Sequence, residues 1–366
     1  MILQHLSILN YKNISSADLH LSAKLNCFFG MNGMGKTNLL DAVYYLSFCK
    51  SSTAPSDSQN ILHGEDMLMI QGEYVNEQGD PEEIYCGFKR GKKKIFKHNK
   101  KEYRKLSEHI GFIPLVMISP ADSTLISGGS EERRKFMDMV ISQYDKTYLH
   151  ELIKYNKSLE QRNAMLKGDN SPNEELMSLL EEMMAASGNT VYEKRKDFTN
   201  KLTPIFNRIY AFISGNECEN VSLGYTSHAT DGKLLEAIRS NRDKDRIMGF
   251  SLKGIHKDDI EMSLNGYPMK KEGSQGQNKT FLTALKLAQF YFLKQNGHTV
   301  PILLLDDIFD KLDKVRVENI ITLVSGEDFG QIFISDTERS RFDNILQKTG
   351  NEHKIFSVEN GTITES

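Results

Sequence analysis

The stretch Gly30-Met31-Asn32-Gly33-Met34-Gly35-Lys36-Thr37 decides the fold of this chain, because it has the pattern G-x-x-x-x-G-K-[ST]. Such a loop turns on its glycines and directs successive backbone N–H groups toward phosphate oxygens. Residues 25–29 before it are apolar and predict a strand, and residues 38–46 after it predict a helix. An accidental glycine-rich turn is the alternative, and the strand and helix around the loop argue against it.

The loop predicts a nucleotide site at the start of that helix. Lys36 is expected to reach the β- and γ-phosphates, and the Thr37 hydroxyl is expected to hold Mg²⁺. ATP and Mg²⁺ are therefore the predicted cofactors. The residues predicted to contact the nucleotide here are Gly30, Met31, Asn32, Gly33, Met34, Gly35, Lys36, Thr37 and Asn38.

A second motif, far along the chain, ends an apolar run in two acids: Pro301-Ile302-Leu303-Leu304-Leu305-Asp306-Asp307. A continuous apolar run is typical of a strand buried on both faces of a parallel sheet. Asp306 is placed to bind Mg²⁺. Asp307 would point to the other side of the strand, where an attacking water could lie. The alternative is a buried strand that merely ends in surface carboxylates.

Most of the chain lies between Lys36 and Asp306, so a large insertion separates two halves of one predicted site. Near the end of this insertion, Ser274-Gln275-Gly276-Gln277 precedes a helical stretch from Phe281 to Gln295. Small and amide residues at a helix start suit a phosphate. An ordinary loop and helix cap would have the same composition, and the residues alone leave both interpretations open.

The order of these motifs resembles the ABC-type ATPase heads of SMC-like repair proteins, and within that group the RecF family. Four further stretches carry the resemblance, namely residues 6–14, 128–138, 159–167 and 254–260. The resemblance implies that Lys36 and Asp307 are catalytic, and that Thr37 and Asp306 hold the metal. It also implies that Ser274, Gln275, Gly276 and Gln277 form a signature motif that contacts ATP bound by a partner subunit. Asp310 and Asp313 match a loop at the dimer interface, and a helix N-cap pair is the alternative for them.

The chain departs from the wider ABC pattern at the γ-phosphate sensor. ABC transporters carry a His after the strand that corresponds to residues 331–334, and this chain has Ser335-Asp336-Thr337 there. The catalytic carboxylate is also Asp307 where most ABC ATPases have Glu. The identity of the sensor is therefore not predicted.

The predicted fold is α/β, an ABC-type P-loop ATPase head with added β-hairpins and an inserted antiparallel helical arm. Its predicted segments are a first ATPase half (1–145), the arm (146–214) and a second ATPase half (215–366). The arm is predicted from two apolar seams at seven-residue spacing. These seams are Leu152, Leu159 and Leu166, then Met177, Met184, Val191, Phe198 and Ile205. The break between them contains Ser171-Pro172-Asn173-Glu174, which predicts a capping box.

Residues 65–105 predict β-hairpins on the head, and a cluster of basic residues follows the second strand. The predicted DNA contacts in this cluster are Lys92, Lys93, Lys94 and Lys97. Clustered lysines can neutralise several phosphates. A solvated hairpin is the alternative, and we favour DNA because the rest of the chain is not basic.

Composition bounds the remaining possibilities. The chain has 366 residues and a net charge of −3, so DNA binding must come from a local patch or from dimer geometry. Its four cysteines, at positions 27, 49, 86 and 218, lack metal spacing and predict a reducing cytoplasm. No apolar run approaches the ~20 residues of a membrane span, and the first ten residues do not have the pattern of a signal peptide.

Together the motifs and the resemblance predict a slow, DNA-stimulated ATPase of replication, recombination, repair and the SOS response. ATP is expected to pair two heads into a homodimer at single-strand/double-strand DNA junctions. The resemblance implies RecR and RecO as partners and promotion of RecA loading at gaps. The alternatives are the ATPase subunit of an ABC transporter and a non-hydrolysing DNA clamp or scaffold.

Overall fold

The computed structural model describes residues 1–168, 173–216, 219–310, 312–339 and 352–366. Two details of the sequence predictions, Ser171-Pro172 and Cys218, lie outside these residues. The chain forms two compact units. The first unit contains residues 1–122, 212–215 and 283–366, and the second contains 123–211 and 216–282. The sequence predicts three consecutive segments, whereas each of the two compact units combines stretches that are separated in the chain. The three-segment division stays a prediction about domains.

Strands occur throughout the described part of the chain except in residues 119–220, which are mostly helical. They are β1 (Ile2–Tyr11), β2 (Ile14–His20), β3 (Leu25–Phe29), β4 (Met67–Val75), β5 (Pro81–Lys89), β6 (Ile95–His98), β7 (Lys101–Glu102), β8 (Leu115–Ile118), β9 (Val221–Thr226), β10 (Asp259–Leu264), β11 (Tyr267–Pro268), β12 (Ile302–Asp306), β13 (Ile332–Asp336), β14 (His353–Glu359) and β15 (Thr362–Glu365).

The helices are concentrated between residues 120 and 300. They are α1 (Lys36–Phe48), α2 (Thr124–Ser127), α3 (Ser130–Tyr144), α4 (Lys146–Leu166), α5 (Glu174–Ser214), α6 (Leu234–Arg239), α7 (Arg242–Met248), α8 (Met269–Glu272), α9 (Gln275–Asn296) and α10 (Lys314–Val324). Within the described ranges, none of these helices has the length and apolar character needed to cross a membrane.

A mostly parallel sheet in the first unit brings the two predicted motifs together at the carboxyl ends of its strands. Its strand order is β15-β14-β3-β13-β12-β8, and all neighbouring pairs except β14–β15 are parallel. Every residue of β12 is buried, as the continuous apolar run predicts. Asp306 pairs in register with Ser335, and Asp336 with Phe29, so the carboxyl ends of β12, β13 and β3 are adjacent.

The added β-hairpins form a second, antiparallel sheet in the first unit, with the order β2-β1-β4-β5-β6-β7. Strand β4 alternates as a half-buried strand should, with Leu68, Ile70, Gly72 and Tyr74 buried and their neighbours more exposed. The turn between β5 and β6 contains Lys92 to Lys94. The predicted hairpins are therefore present.

The helical arm is antiparallel, and its residues up to 211 lie in the second unit. Tyr148 on α4 contacts Arg195 on α5, whereas Arg162, further along α4, contacts Glu181, which comes earlier on α5. The predicted seam of α5 is fully buried at Met184, Val191 and Phe198. These findings confirm the predicted arm.

Two details of α5 differ from the predictions. Helix α5 begins at Glu174, and the Asn173 side chain accepts a hydrogen bond from the Leu176 N–H at 3.0 Å, so Asn173 caps the described helix start. Further on, Phe206 is buried whereas the predicted seam residue Ile205 is only half-buried. Pro204 lies inside α5 just before this change, and a proline inside a helix cannot donate the backbone hydrogen bond of its position.

Two buried arginines form ion pairs within the second unit, and one of them, Arg195, connects two of the stretches that carry the family resemblance. Arg195 donates to Asp138 and Asp258 at 2.8 Å and 2.7 Å. Arg162 donates to Asp245 at 2.8 Å and to Glu181. Removing one partner of such a buried pair leaves an uncompensated charge, which is strongly destabilising. These stretches therefore have a structural role within the second unit.

Gln289 on α9 offers a test of core packing. Its side chain is 0% exposed, and neither of its amide atoms has a hydrogen-bond partner within the described residues. A buried amide without partners costs free energy that an apolar side chain of similar shape avoids. We expect Gln289→Met to raise the free energy of unfolding by about 1–2 kcal/mol, measured by urea denaturation.

The matched control is Gln295→Met, because Gln295 is exposed on the same helix and its replacement should leave the unfolding free energy nearly unchanged. A clear loss of stability in Gln289→Met, with the control unchanged, would mean that the buried amide has a partner such as an ordered water.

Candidate functional site

The glycine-rich loop connects β3 to α1 in a conformation that only its glycines tolerate easily. Gly33 and Gly35 have φ angles of 82° and 115°, in the region that side chains rarely adopt. A Cβ atom on Gly30 would lie 2.2 Å from the carbonyl oxygen of Val358 on β14. The loop is therefore packed against the C-terminal hairpin, where the Gly361 N–H donates to the Met34 carbonyl at 2.8 Å.

Asn13 also holds the loop, through the same Met34 carbonyl that accepts from Gly361. Its side-chain nitrogen donates to the Met34 carbonyl at 3.2 Å, and its oxygen accepts from the Asn38 side chain at 2.7 Å. The sequence motifs do not identify Asn13 as part of the site. The only signal in the sequence is its place in the turn between two strands, within the first stretch of family resemblance.

Lys36 lies over its own loop. Its Nζ donates to the carbonyl oxygens of Gly30 and Met31 at 2.6 Å and 3.0 Å. Burial lowers the pKa of Lys36 below its usual value, and the carboxylates of Asp307, Asp306 and Asp336 act in the opposite direction. A cation held here among main-chain groups can exchange its carbonyl partners for phosphate oxygens.

Thr37 and Asp306, from the two distant motifs, meet directly. The Thr37 hydroxyl lies 3.0 Å from Oδ1 and 2.9 Å from Oδ2 of Asp306, which is 3% exposed. Burial raises the pKa of Asp306 above its usual value, while hydrogen bonds from Ser335 and Thr37 lower it. A buried carboxylate beside a hydroxyl is a donor pair that suits a hard cation such as Mg²⁺.

The protein ligands alone would not enclose a metal ion. Over the described parts of the chain, no group of three or more His, Cys, Asp and Glu side chains is arranged to hold one. Mg²⁺ commonly keeps several waters and binds through one or two carboxylates plus substrate phosphates. The pair of Thr37 and Asp306 therefore fits Mg²⁺ that arrives with a nucleotide.

Ser335 is a second functional-site residue that the sequence motifs do not identify. Its hydroxyl donates to Asp306 Oδ1 at 2.6 Å, and its carbonyl and hydroxyl oxygens lie 3.2 Å and 3.3 Å from the Asp307 N–H. The sequence motifs mark this position only by the absence of a His. The signal that could have found Ser335 is its position at the carboxyl end of a buried strand.

Asp307 lies just beyond the end of β12 and has a φ angle of 50°. The prediction of its direction assumes that strand alternation continues through this residue. That assumption is wrong, because the strand ends at Asp306 and the backbone then enters the left-handed region, which Asp tolerates better than most residues. Its catalytic role stays a prediction.

Asp41 fixes α1 behind the loop through a buried network. Its carboxylate accepts from the hydroxyls of Tyr11, Ser51 and Ser52 at 2.6 Å each and pairs with Lys12. Burial opposes ionisation, but the Lys12 ammonium and the hydroxyls keep the pKa of Asp41 below its usual value. The charged Asp41 therefore anchors residues 51–52 to the helix that follows the phosphate loop.

The predicted signature lies in the second unit, at the start of α9. Ser274 and Gln275 are exposed, and Gly276 and Gln277 are half-buried. The Ser274 N–H donates to Gln277 Oε1 at 3.1 Å, and the Gln277 N–H donates to Ser274 Oγ at 3.2 Å. This is a reciprocal capping box, so the helix-cap interpretation is correct for the local structure. Its nucleotide role stays a prediction.

The predicted DNA lysines do not form one uniform group. Lys92 and Lys93 are exposed in the turn between β5 and β6. Lys97 is half-buried, with its ammonium 5.6 Å from the centre of the Tyr85 ring. Lys94 instead donates inward, to Asp57 at 2.8 Å and to the Cys49 carbonyl at 2.7 Å. Lys94 is therefore removed from the predicted DNA contacts, because Asp57 neutralises its charge.

Sequence comparison finds similarity along essentially the whole chain. The family described as RecF/RecN/SMC N terminal domain matches residues 2–364. The chain is 62% identical over 365 residues to the "DNA replication and repair protein RecF" of Bacteroides thetaiotaomicron, covering 100% of this chain and 99% of that relative. It is 61% identical over 366 residues to the protein of the same name from Phocaeicola vulgatus, covering 100% and 98%.

Structure comparison agrees. A solved structure described as the recombination mediator protein RecF-ATP in the RecFOR pathway has a TM-score of 0.89 at 26% identity, covering 100% of this chain and 97% of that one. The Smc head bound to the C-winged helix domain of ScpA has a TM-score of 0.59 at 14% identity, covering 100% and 97%. The second likeness concerns the fold alone, and it confirms the predicted ABC-type head.

Proposed function

This chain belongs to the RecF family, and we propose that it acts on DNA as an ATP-driven, dimeric recombination mediator. Its family makes it an ABC-type ATPase of DNA replication and repair. The observation that carries the proposal is the contact between the Thr37 hydroxyl and the Asp306 carboxylate at 2.9 Å. The comparisons do not support the transporter alternative, because the relatives that are 62% and 61% identical to this chain are RecF proteins and match it over nearly their whole length.

In the proposed ATP site, the loop amides and the Lys36 ammonium bind the phosphates. Thr37 and Asp306 would hold Mg²⁺, which when bound neutralises phosphate charge. Ser335 orients Asp306 through its 2.6 Å hydrogen bond. Asp307 accepts a proton from the attacking water as a general base. Carboxylates are generally weak bases near neutral pH, so slow turnover is expected.

The proposal makes each ATP site depend on a second copy of the chain. Ser274 and Gln275 are exposed at the N-terminus of α9, where a helix offers free N–H groups to an anion. These residues would contact the γ-phosphate of ATP bound to the partner's loop. ATP then closes the dimer, and hydrolysis opens it.

The proposed DNA contacts are Lys92, Lys93 and Lys97, on and beside the β5–β6 turn. The solved RecF-ATP structure is that of a recombination mediator in the RecFOR pathway. We propose that this chain works with RecR and RecO at single-strand/double-strand junctions, in the cytoplasm, and promotes RecA loading at gaps.

The proposal is tested by measuring the mass of the full chain in solution with ATP, with ADP and without nucleotide. We expect a dimer with ATP and a monomer in the other two states, and tighter ATP-dependent pairing in the presence of a gapped duplex. Phosphate release measured in parallel distinguishes an ATPase from a non-hydrolysing clamp. A chain that stays monomeric with ATP and gapped DNA would contradict the proposal.

A further inference from the structure

The capping box at the start of α9 has a third participant. The Gln277 side-chain nitrogen donates to Glu219 Oε1 at 3.1 Å, while its Oε1 receives the Ser274 N–H. Glu219 lies just before β9, far from the signature in sequence. No motif in the sequence identifies it.

Glu219 fixes which way the Gln277 amide faces. An ionised carboxylate only accepts hydrogen bonds, so it holds the NH₂ group of Gln277 toward itself. The amide oxygen is thereby directed at the Ser274 N–H. With the amide reversed, its NH₂ group would face that N–H and two donors would oppose each other. The carboxylate therefore selects the one amide orientation in which the capping box closes.

The same carboxylate connects the signature to the long arm helix α5. Its second oxygen accepts from the Tyr210 hydroxyl at 2.7 Å, and Tyr210 is fully buried near the end of α5. Beside Glu219, the Val221 N–H donates to the Asn207 side chain at 3.1 Å, so the start of β9 is also held by α5. Within the second unit, Glu219 is therefore held by hydrogen bonds from both Tyr210 on α5 and Gln277 on α9.

Aromatic packing makes an independent link between the same two helices. The ring of Phe281, on the second turn of α9, meets the Phe206 ring edge-to-face at a centroid distance of 4.7 Å. It also lies 6.4 Å from the Tyr210 ring. The last turns of α5 therefore pack against the first turns of α9. Glu219 adds a polar link between the same two helices, because it accepts hydrogen bonds from Tyr210 on α5 and Gln277 on α9.

We propose that Glu219 is a positioning residue for the signature, and that through Tyr210 it couples the state of the arm to ATP-dependent dimerisation. It acts by holding Gln277, and thereby Ser274, in the geometry that receives a partner's ATP. A displacement of α5 would move Tyr210, release Gln277 and loosen the helix start. This inference rests on the proposed function, because the signature serves a second copy.

The test compares Glu219→Ala, Glu219→Gln and Tyr210→Phe in the full chain. Three quantities are measured: affinity of the monomer for a fluorescent ATP analogue, the protein concentration at which ATP half-dimerises the chain, and hydrogen exchange of residues 274–280. Glu261→Ala is the matched control, because Glu261 is exposed on β10, the neighbour of β9.

For Glu219→Ala we expect unchanged ATP-analogue affinity, about tenfold weaker dimerisation and faster exchange at 274–280. Glu219→Gln should restore most of the dimerisation. The amide oxygen of the new glutamine can accept from Gln277, and the Tyr210 hydroxyl can turn to accept from the NH₂ group of the new glutamine. Tyr210→Phe keeps the ring packing and should give a smaller loss, so it also tests the link if Glu219→Ala fails to fold. The control should match wild type.

Wild-type dimerisation in Glu219→Ala or, where that variant does not fold, in Tyr210→Phe would overturn the inference, whether or not exchange is faster. Equal losses in the Ala and Gln variants would also overturn it, because a merely packed side chain predicts no rescue. A wild-type chain that stays monomeric with ATP would overturn the proposed function as well, which separates the two failures.

Discussion

Lys36→Met is expected to abolish ATP-dependent dimerisation and ATP hydrolysis. The substitution keeps an unbranched side chain of similar length but removes the charge that lies over the loop, 2.6 Å from the Gly30 carbonyl. Hydrogen bonds from an ammonium to phosphate oxygens are among the stronger ones in proteins. Loss of two of them should weaken ATP binding at least about a hundredfold.

The same variant should fold as well as the wild type, and this separates loss of function from loss of structure. Burial lowers the pKa of Lys36, which means that the charged form is less favourable in the folded chain than in water. Removing this buried charge should leave thermal stability without nucleotide equal or slightly higher. ATP raises the melting temperature of the wild type because it binds the folded state. It should not raise the melting temperature of Lys36→Met.

Lys24→Met is the matched control, because Lys24 also donates to a main-chain carbonyl, that of Phe329, outside the phosphate loop. The ATP-dependent dimerisation of Lys24→Met should equal that of the wild type. Full ATP-dependent dimerisation of Lys36→Met would contradict the mechanism, since no phosphate contact by Lys36 would then be needed to pair the heads.

The combined variant Lys92→Ala, Lys93→Ala and Lys97→Ala should bind gapped DNA at least about tenfold more weakly at moderate salt. Each lysine that neutralises a phosphate releases counterions, so the slope of log affinity against log salt should fall by about one per lysine. Because the chain has a net charge of −3, the attraction must come from such a local group or from the geometry of the dimer. Fluorescence anisotropy over a salt series measures both quantities.

The control variant changes three exposed lysines of the second unit, Lys201, Lys233 and Lys244, to Ala. It alters net charge equally, so it corrects for the general electrostatic effect. Equal salt slopes in both triple variants would remove the β5–β6 turn from the proposed DNA interface. Lys94 is excluded from the set because its ion pair with Asp57 is part of the packing.

The sequence contained enough information to predict the two halves of the nucleotide site and the arm. A phosphate loop needs glycines and a lysine at fixed spacing, and a buried parallel strand needs an apolar run, so both appear as local patterns. The seam of α5 was likewise readable from Met184, Val191 and Phe198, because helix periodicity is a local property. The direction of the Asp307 side chain stays a prediction, because the φ angle of 50° at this residue is not encoded in such a pattern.

Residue types and periodicity, which depend on neighbouring positions, by themselves determined the fold class, the phosphate loop and the acidic strand end. Only the tertiary structure decided which distant groups meet, because such partners depend on the path of the whole chain. Thr37 and Asp306 are 269 residues apart and converge through parallel strand register. Likewise, Ser335 reaches Asp306, Asp57 withdraws Lys94 from solvent, and Glu219 meets Gln277 only once the strands and helices have packed.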